Sequence, residues 1–301
     1  MLKKIYQKLK SQGIRNVLDA AVRRIVPRRA ASFEGFRAHF TQGAGLELGG
    51  PSGIFMPYGL FPVYSCATRI DNYNFGHQTI WEGAIKEGET FEFGKNGHRG
   101  NQFVSDATDL NRIASNTYDF VLSSHTLEHI ANPLRALAEW TRVLKDGGLL
   151  ALVLPHRDGT FDHRRPVTQL EHLVEDFEKQ VDEGDLTHLD EILRLHDLGR
   201  DPAAGDFETF KARSAKNLEN RSLHHHVFDT RLAIDLVDHI GLQITAVEAF
   251  RPYDILIVAR KLTQGEKAQN NPFKGSGAEP LWTSPFPSDQ ISRRESLESS
   301  A

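Results

Sequence analysis

Fourteen histidines are scattered along the 301 residues, several of them beside apolar runs. His125 and His129 follow "YDFVLSS", and His156 closes "LLALVLP". Imidazole titrates near neutral pH, so a histidine at the end of a buried strand is placed to take a proton from a hydroxyl. Behind His156, "PHRDGTFDHRRPVT" adds Asp158, Asp162 and His163, which together with His156 are ligand types for a divalent metal. Arg164 and Arg165 suit a carboxylate, a phosphate or an acidic sugar. Further on, "LHHHVFD" presents His224, His225 and His226. Successive side chains on extended chain alternate in direction, so at most two of these three converge on one ligand. A hydrogen-bonded pocket for a polar substrate is the expected use of these groups, and no metal is assigned.

The second chemical signal is "GAGLELGGPSGIF", residues 43–55, a strand-like piece running into glycines. A glycine turn after the first strand of an α/β sheet lies at the carboxyl edge, where such sheets bind ligands. The dinucleotide spacing G-x-G-x-x-G fails at Pro51 counted from Gly49 and at Ser52 counted from Gly50, and the phosphate loop is absent. Glu47, two residues before the turn, would repel a pyrophosphate and attract an ammonium or sulfonium group.

From Glu47 to Gly53 the chain resembles [DE]-x-G-x-G-x-G, the first motif of the class I S-adenosylmethionine-dependent methyltransferases, with Pro51 replacing the middle glycine. Proline fixes φ and removes a donor there. "FVSDATDL" resembles that family's D-A-x-x-L segment, and "YDFVLSSHTLEHIANPLRALAEWTRVLKDGGLLALVLP" resembles its type 11 group through the L-E-H turn and the R-V-L-K-x-G-G run. The resemblance spans Gly45 to Pro155 and the closing strands. It implies an enzyme with S-adenosylmethionine as cofactor, held by Glu47, Gly49, Gly50, Gly53, Asp71, Asp106, Ala107 and Ser123. Asp71, 24 residues past Glu47 at the end of "VYSCATRID", would accept hydrogen bonds from the ribose hydroxyls. Asp106 would contact the adenine amino group and Ala107 line its face. His125 and His129, beside the expected methyl position, and His156 are the candidate catalytic bases. The cofactor carries an activated methyl, so the protein mainly aligns the nucleophile and manages its proton. O-methylation of a hydroxylated small molecule or sugar is expected, with a small-molecule or glycan acceptor as partner. The alternatives are N- or C-methylation of a small metabolite, and a non-catalytic binding module.

These residues need a sheet to position them. Short apolar runs separated by helix-like pieces read as an α/β fold, a Rossmann-like, mostly parallel sheet closed by an antiparallel hairpin. Strands are expected near Gly45 to Leu48, Val63 to Ile70, Gln102 to Ser105, Tyr118 to Ser123, Leu149 to Leu154, Gln243 to Ala249 and Asp254 to Ala259. Asn132 is placed to cap a helix with Pro133 at its first position and "KDGG" at its end; Asp229 caps another, with Phe228 stapled against Ala233. Pro57, Gly59 and Pro62 rule out a long regular first helix, leaving "MPYGLFP" as an irregular wall. Residues 157–221 read as a helical insertion, a lid or substrate wall, within a methyltransferase-like domain at 41–261. Residues 262–301 are expected to be a disordered tail, in which Trp282 and Phe286 could serve as a docking motif.

Residues 1–40 hold two basic amphipathic helices, and residues 1–30 carry nine Lys and Arg against Asp19 alone. Such helices either cap a core or make weak contact with an anionic membrane surface through residues 1–26. At 39% hydrophobic, 25% charged and net charge -4 the composition is that of an ordinary globular protein, with nothing pointing to nucleic acid. No apolar run is long enough to span a bilayer and no signal-peptide core is visible, so a cytoplasmic location is expected, peripheral at the inner membrane face if the helices bind lipid. The lone Cys66 has no partner for a disulfide.

Overall fold

The computed structural model describes residues 28–79, 81–94, 97–275 and 281–291. The basic helices expected before residue 27 lie outside the described residues. Helix α1 (Phe33–Gln42) leads into strand β1 (Ala44–Leu48), followed by β2 (Arg69–Asn74), a hairpin β3 (Gln78–Thr79) and β4 (Gly83–Ala84), then β5 (Gly88–Phe93), β6 (His98–Val104) and β7 (Tyr118–Ser124). Next come α2 (Pro133–Val143), β8 (Leu144–Pro155), four short helices α3 (Leu170–Glu178), α4 (Leu189–Leu195), α5 (Phe207–Ser214) and α6 (Asn217–Asn220), then α7 (Thr230–His239), β9 (Gln243–Phe250), β10 (Asp254–Arg260) and α8 (Asn271–Lys274).

Eight strands form one sheet in the order β5-β6-β2-β1-β7-β8-β10-β9. From β6 to β8 they run parallel, while β10 is antiparallel to β8 and β9, and β5 to β6. The chain builds outward from β1 to β2 and β6, then crosses back to place β7 on the other side of β1. This reversal opens a crevice at the carboxyl ends of β1 and β7, where open sheets of this kind bind ligands.

Alternation along β8 explains the two-sided core. Leu150, Leu152 and Leu154 pack with α2 and α7 on one face, while Leu149, Ala151 and Val153 join Phe33, Phe40, Phe61 and Phe120 on the other. Asn132 Oδ1 accepts the Arg135 N–H at 3.0 Å and so caps α2, whose Leu134, Leu137 and Trp140 are buried. Asp229 caps α7 through the Leu232 N–H at 2.7 Å, and Phe228 and Ala233 are buried in one cluster.

Several expectations shift. The second strand starts at Arg69, because Val63–Ser65 forms a 3-10 turn; Phe61 and Val63 still reach the core from this irregular wall. Helix α2 ends at Val143 and "KDGG" already belongs to β8, with Gly147 taking a φ of 77°. Edge strand β5 lacks a distinct sequence signal, since only Phe91 and Phe93 of its six residues are buried.

The tail is not disordered where it is described. Asn270, 2% exposed, hydrogen-bonds strand β9 and helix α7, and the Trp282 Nε1–H donates to Phe273 O at 2.8 Å. Phe286 is 3% exposed and stacks on His156 at 3.9 Å between ring centroids, so it serves this fold internally instead of acting as a docking motif. Among the described residues no helix is long and apolar enough to cross a membrane.

Candidate active site and cofactor pocket

A cavity of about 430 Å³ opens at the crevice between β1 and β7. One half is walled by Gly49, Pro51, Asn74, Phe75, Asp106 and Ala107; the other by His125, Glu128, His129, Phe161, His224 and Tyr253. The insertion closes it from above with Thr160, Arg200 and Arg221, and the β3–β4 hairpin adds Thr79, Trp81 and Glu82.

The glycine turn is held from beneath. Gly49 takes a φ of 80°, and a Cβ there would sit 2.4 Å from Thr126 Oγ1. At Gly50 a Cβ would lie 2.4 Å from the Glu47 carboxyl carbon. The turn's donors are used internally: Gly49 N–H to Tyr73 O at 2.8 Å, Gly50 N–H to Asn72 Oδ1 at 3.0 Å and Ser52 N–H to Glu47 Oε1 at 3.0 Å. Pro51 therefore removes a donor from a turn already pinned on both sides of it. The fit to a nucleoside-bearing cofactor rests on this bare glycine backbone, opposite an Ala107 and Phe75 wall.

Glu47 does not face the cavity. Its second oxygen accepts the Tyr64 hydroxyl, the side chain is fully buried, and burial pushes its pKa up to about 8 despite both hydrogen bonds. It is a neutral brace for the turn at pH 7, which replaces the expected carboxylate attracting a sulfonium.

Of the other expected cofactor residues, Gly49, Asp106 and Ala107 line the cavity and Gly50 lies just under it. Asp71 does not reach it. Strand β2 runs three residues further to Asn74, and Asp71 is enclosed in the sheet by the Asn101 N–H and the Tyr118 hydroxyl, both at 2.8 Å. Asn74 occupies the wall that Asp71 was expected to supply. Ser123 is buried in β7 and the next residue, Ser124, faces the cavity instead; Gly53 points to solvent. Asp106 is present but engaged: Oδ1 accepts the Thr108 N–H at 2.9 Å, and Oδ2 pairs with Arg221 at 3.0 Å. The same guanidinium lies over the Phe75 ring at 5.6 Å and forms an ion pair with Glu183 at 2.7 Å, so the insertion clamps the end of the cavity.

The three candidate bases separate sharply. His156 is fully buried away from the cavity, with Nδ1 accepting the Asp158 N–H at 3.1 Å and Nε2 lying 3.2 Å from Asp289 Oδ1. Its burial under Phe286 removes it from catalysis. His125 lines the cavity at a φ of 51°, with Nε2 2.9 Å from Asp254 Oδ1 and Nδ1 3.7 Å from Glu128 Oε1. Burial opposes its charge, yet the two carboxylates outweigh burial and lift its pKa to about 9. A histidine already protonated at pH 7 accepts no proton. His129 is the reverse: burial and the neighbouring His224 lower it to about 4, and Nδ1 donates to Leu223 O at 3.0 Å, leaving a bare Nε2.

A fourth histidine, absent from the expected set of bases, has the right second partner. His224 lines the cavity, and its Nδ1 lies 2.5 Å from Asp162 Oδ2. Burial works to raise the Asp162 pKa, but His224 and Arg165 hold it down at about 2. Arg165, 1% exposed, fixes both members by donating to Asp162 Oδ1 at 3.0 Å and to His224 O at 2.8 Å. The alternation in "LHHHVFD" was the available signal: His224 faces the cavity while His225, fully buried, turns to Asn217 at 2.9 Å.

The metal set read from "PHRDGTFDH" does not assemble, because His163 pairs with Asp197 at 2.8 Å and His156 and Asp162 are committed elsewhere. Two other groups of ligand-type side chains do come together among the described residues: Glu128, His129 and His224 on the cavity wall, and His172, Asp176, His188 and His226 in the insertion.

A family model described as a methyltransferase domain matches residues 81–152, from the β3–β4 hairpin into β8. No curated protein matches the sequence. Among solved structures, the chain is similar to a SAM-dependent methyltransferase from Aquifex aeolicus at 12% identity, over 76% of this chain and 88% of that one, with a TM-score of 0.42. It is likewise similar to one from Methanosarcina mazei (17%, 74% and 94%, 0.42) and one from Mesorhizobium loti (15%, 77% and 98%, 0.42). The mostly parallel sheet with its antiparallel β10 is the Rossmann-like α/β fold expected from the sequence, and residues 81–152 within it match a methyltransferase domain.

Proposed function

We propose that the protein methylates a hydroxyl oxygen of a small polar acceptor, a sugar or similar polyol, with His224 as the base. The supporting observation is the His224–Asp162 pair on the cavity wall. When bound, S-adenosylmethionine would supply an activated methyl on a sulfonium, whose leaving group is a neutral thioether. The work left to the protein is orientation and proton removal. Asp162, held ionised, keeps the His224 proton on Nδ1, so Nε2 takes the acceptor's hydroxyl proton and the imidazolium formed is stabilised by the carboxylate beneath it. His129 Nε2 accepts a second hydrogen bond from the acceptor without competing for the proton. Glu128 Oε2, buried and without a hydrogen-bond partner, offers another acceptor to a hydroxyl-rich molecule. Phe161, Trp81 and Tyr253 supply apolar faces on which a sugar ring can pack.

The test is a panel of hydroxylated acceptors with labelled cofactor, followed by assignment of the methylated atom by NMR. A product methylated on nitrogen or carbon, or full activity in His224→Ala, overturns the reading.

A further inference from the structure

We propose that His172, Asp176, His188 and His226 form a closed four-ligand site for a divalent transition metal of the zinc type, stapling the helical insertion together. Helix α3 places His172 and Asp176 four residues apart, on one face. His188 stands at the start of α4 and His226 on the extended approach to α7. His188 follows His172 by 16 residues, and His226 follows His188 by 38.

The distances are those of a coordination shell. His172 Nε2 lies 3.0 Å from His188 Nε2 and 3.4 Å from Asp176 Oδ2. One donor atom from each residue falls within 4.8 Å of all the others. A tetrahedral metal with bonds of about 2.0–2.1 Å separates its ligand atoms by about 3.3 Å. The three rings stand 5.0, 5.8 and 5.6 Å apart with planes crossed at 86°, 62° and 74°, as imidazoles converging on one point must.

Without a cation the cluster is poorly satisfied. Asp176 Oδ2 and His226 Nδ1 are buried with no hydrogen-bond partner, in residues 7% and 1% exposed. Unmet buried acceptors are costly. The His226 ring is fixed by Nε2 against Ala131 O at 3.1 Å, a carbonyl contact of the kind that orients metal-bound imidazoles. Three imidazoles and one carboxylate select zinc, nickel or copper over magnesium and calcium, and four protein ligands leave no open position. The site is therefore structural, and His226 lies two residues from His224, so the metal would also steady the acceptor wall.

The experiment uses untagged full-length protein, stripped with a chelator and titrated with Zn²⁺, and separately with Co²⁺ for its visible spectrum. One equivalent bound, with the intense absorption of tetrahedral cobalt, is expected. His188→Gln and Asp176→Asn should each weaken Zn²⁺ binding by more than about 10-fold while circular dichroism confirms folding, and His129→Gln should leave it unchanged. Absence of one-to-one binding overturns the proposal, as does binding that survives His188→Gln and Asp176→Asn in folded protein or is lost in His129→Gln.

Discussion

His224 Nδ1 and Asp162 Oδ2 stand 2.5 Å apart although 62 residues separate them in the chain. The pair forms because Arg165 bonds the side chain of one and the backbone carbonyl of the other. If it is the proton acceptor, His224→Ala should lower kcat by about 10²–10⁴-fold while calorimetry shows S-adenosylmethionine binding unchanged. Asp162→Asn should cause a smaller loss through the wrong tautomer. Equal loss of cofactor affinity in His224→Ala would instead mark it as a structural residue.

Glu47 gives a pH signature. Its folded pKa of about 8 exceeds its ordinary value of 4.5, so its contribution to stability is whole below 4.5 and is lost as pH rises through about 8. In urea denaturation, wild type should lose stability relative to Glu47→Gln from about pH 5 to about pH 9. Glu47→Gln should bind cofactor nearly as well as wild type at pH 7. Glu47→Ala frees the Ser52 N–H and the Tyr64 hydroxyl, costs about 1–3 kcal/mol and weakens cofactor binding.

His125 has the same sign for a different reason. Its pKa is lifted from 6.5 to about 9 by Asp254 and Glu128 against the opposing effect of burial, so its pairing stabilises fully below 6.5 and fades as pH rises through about 9. The stability gap between wild type and His125→Gln should shrink across that window in chemical denaturation. A pH–rate profile whose lower limb vanishes in His125→Gln would show that His125 is the base after all.

Phe286 tests the described part of the tail. Phe286→Ala should destabilise the protein by about 3–5 kcal/mol and lower its melting temperature, since the ring is buried on His156. A change within experimental error would mean that residues 281–291 are detached in solution.

The parallel strands and the capped helices were legible because their signals are local: the apolar runs of β7 and β8, Asn132 before Pro133, Asp229 before Thr230. Asp71 misled because spacing from Glu47 fixes a sequence distance and not where β2 ends; the turn at 63–65 delays that strand and pushes its carboxyl end to Asn74. The histidines were legible only as a class. Whether each is base, cation or packing ring depends on Asp162, Asp254 and Asp289, which are 62, 129 and 133 residues away from their partners. The tail's low hydrophobicity hid the few contacts that hold it, those of Phe273, Trp282 and Phe286.

Asn132 looks in two directions: its Oδ1 closes the first turn of α2, and its Nδ2 donates to Asp176 O on α3 at 3.0 Å. One amide thus joins the matched domain to the residue that anchors the insertion. Exchanging the insertion between relatives to alter acceptor choice would therefore fail as a simple cassette swap. The transplant must offer Asn132 Nδ2 backbone carbonyls where Asp176 and Val181 stand, or the incoming segment loses its foothold and leaves a buried donor unmet beside the cap.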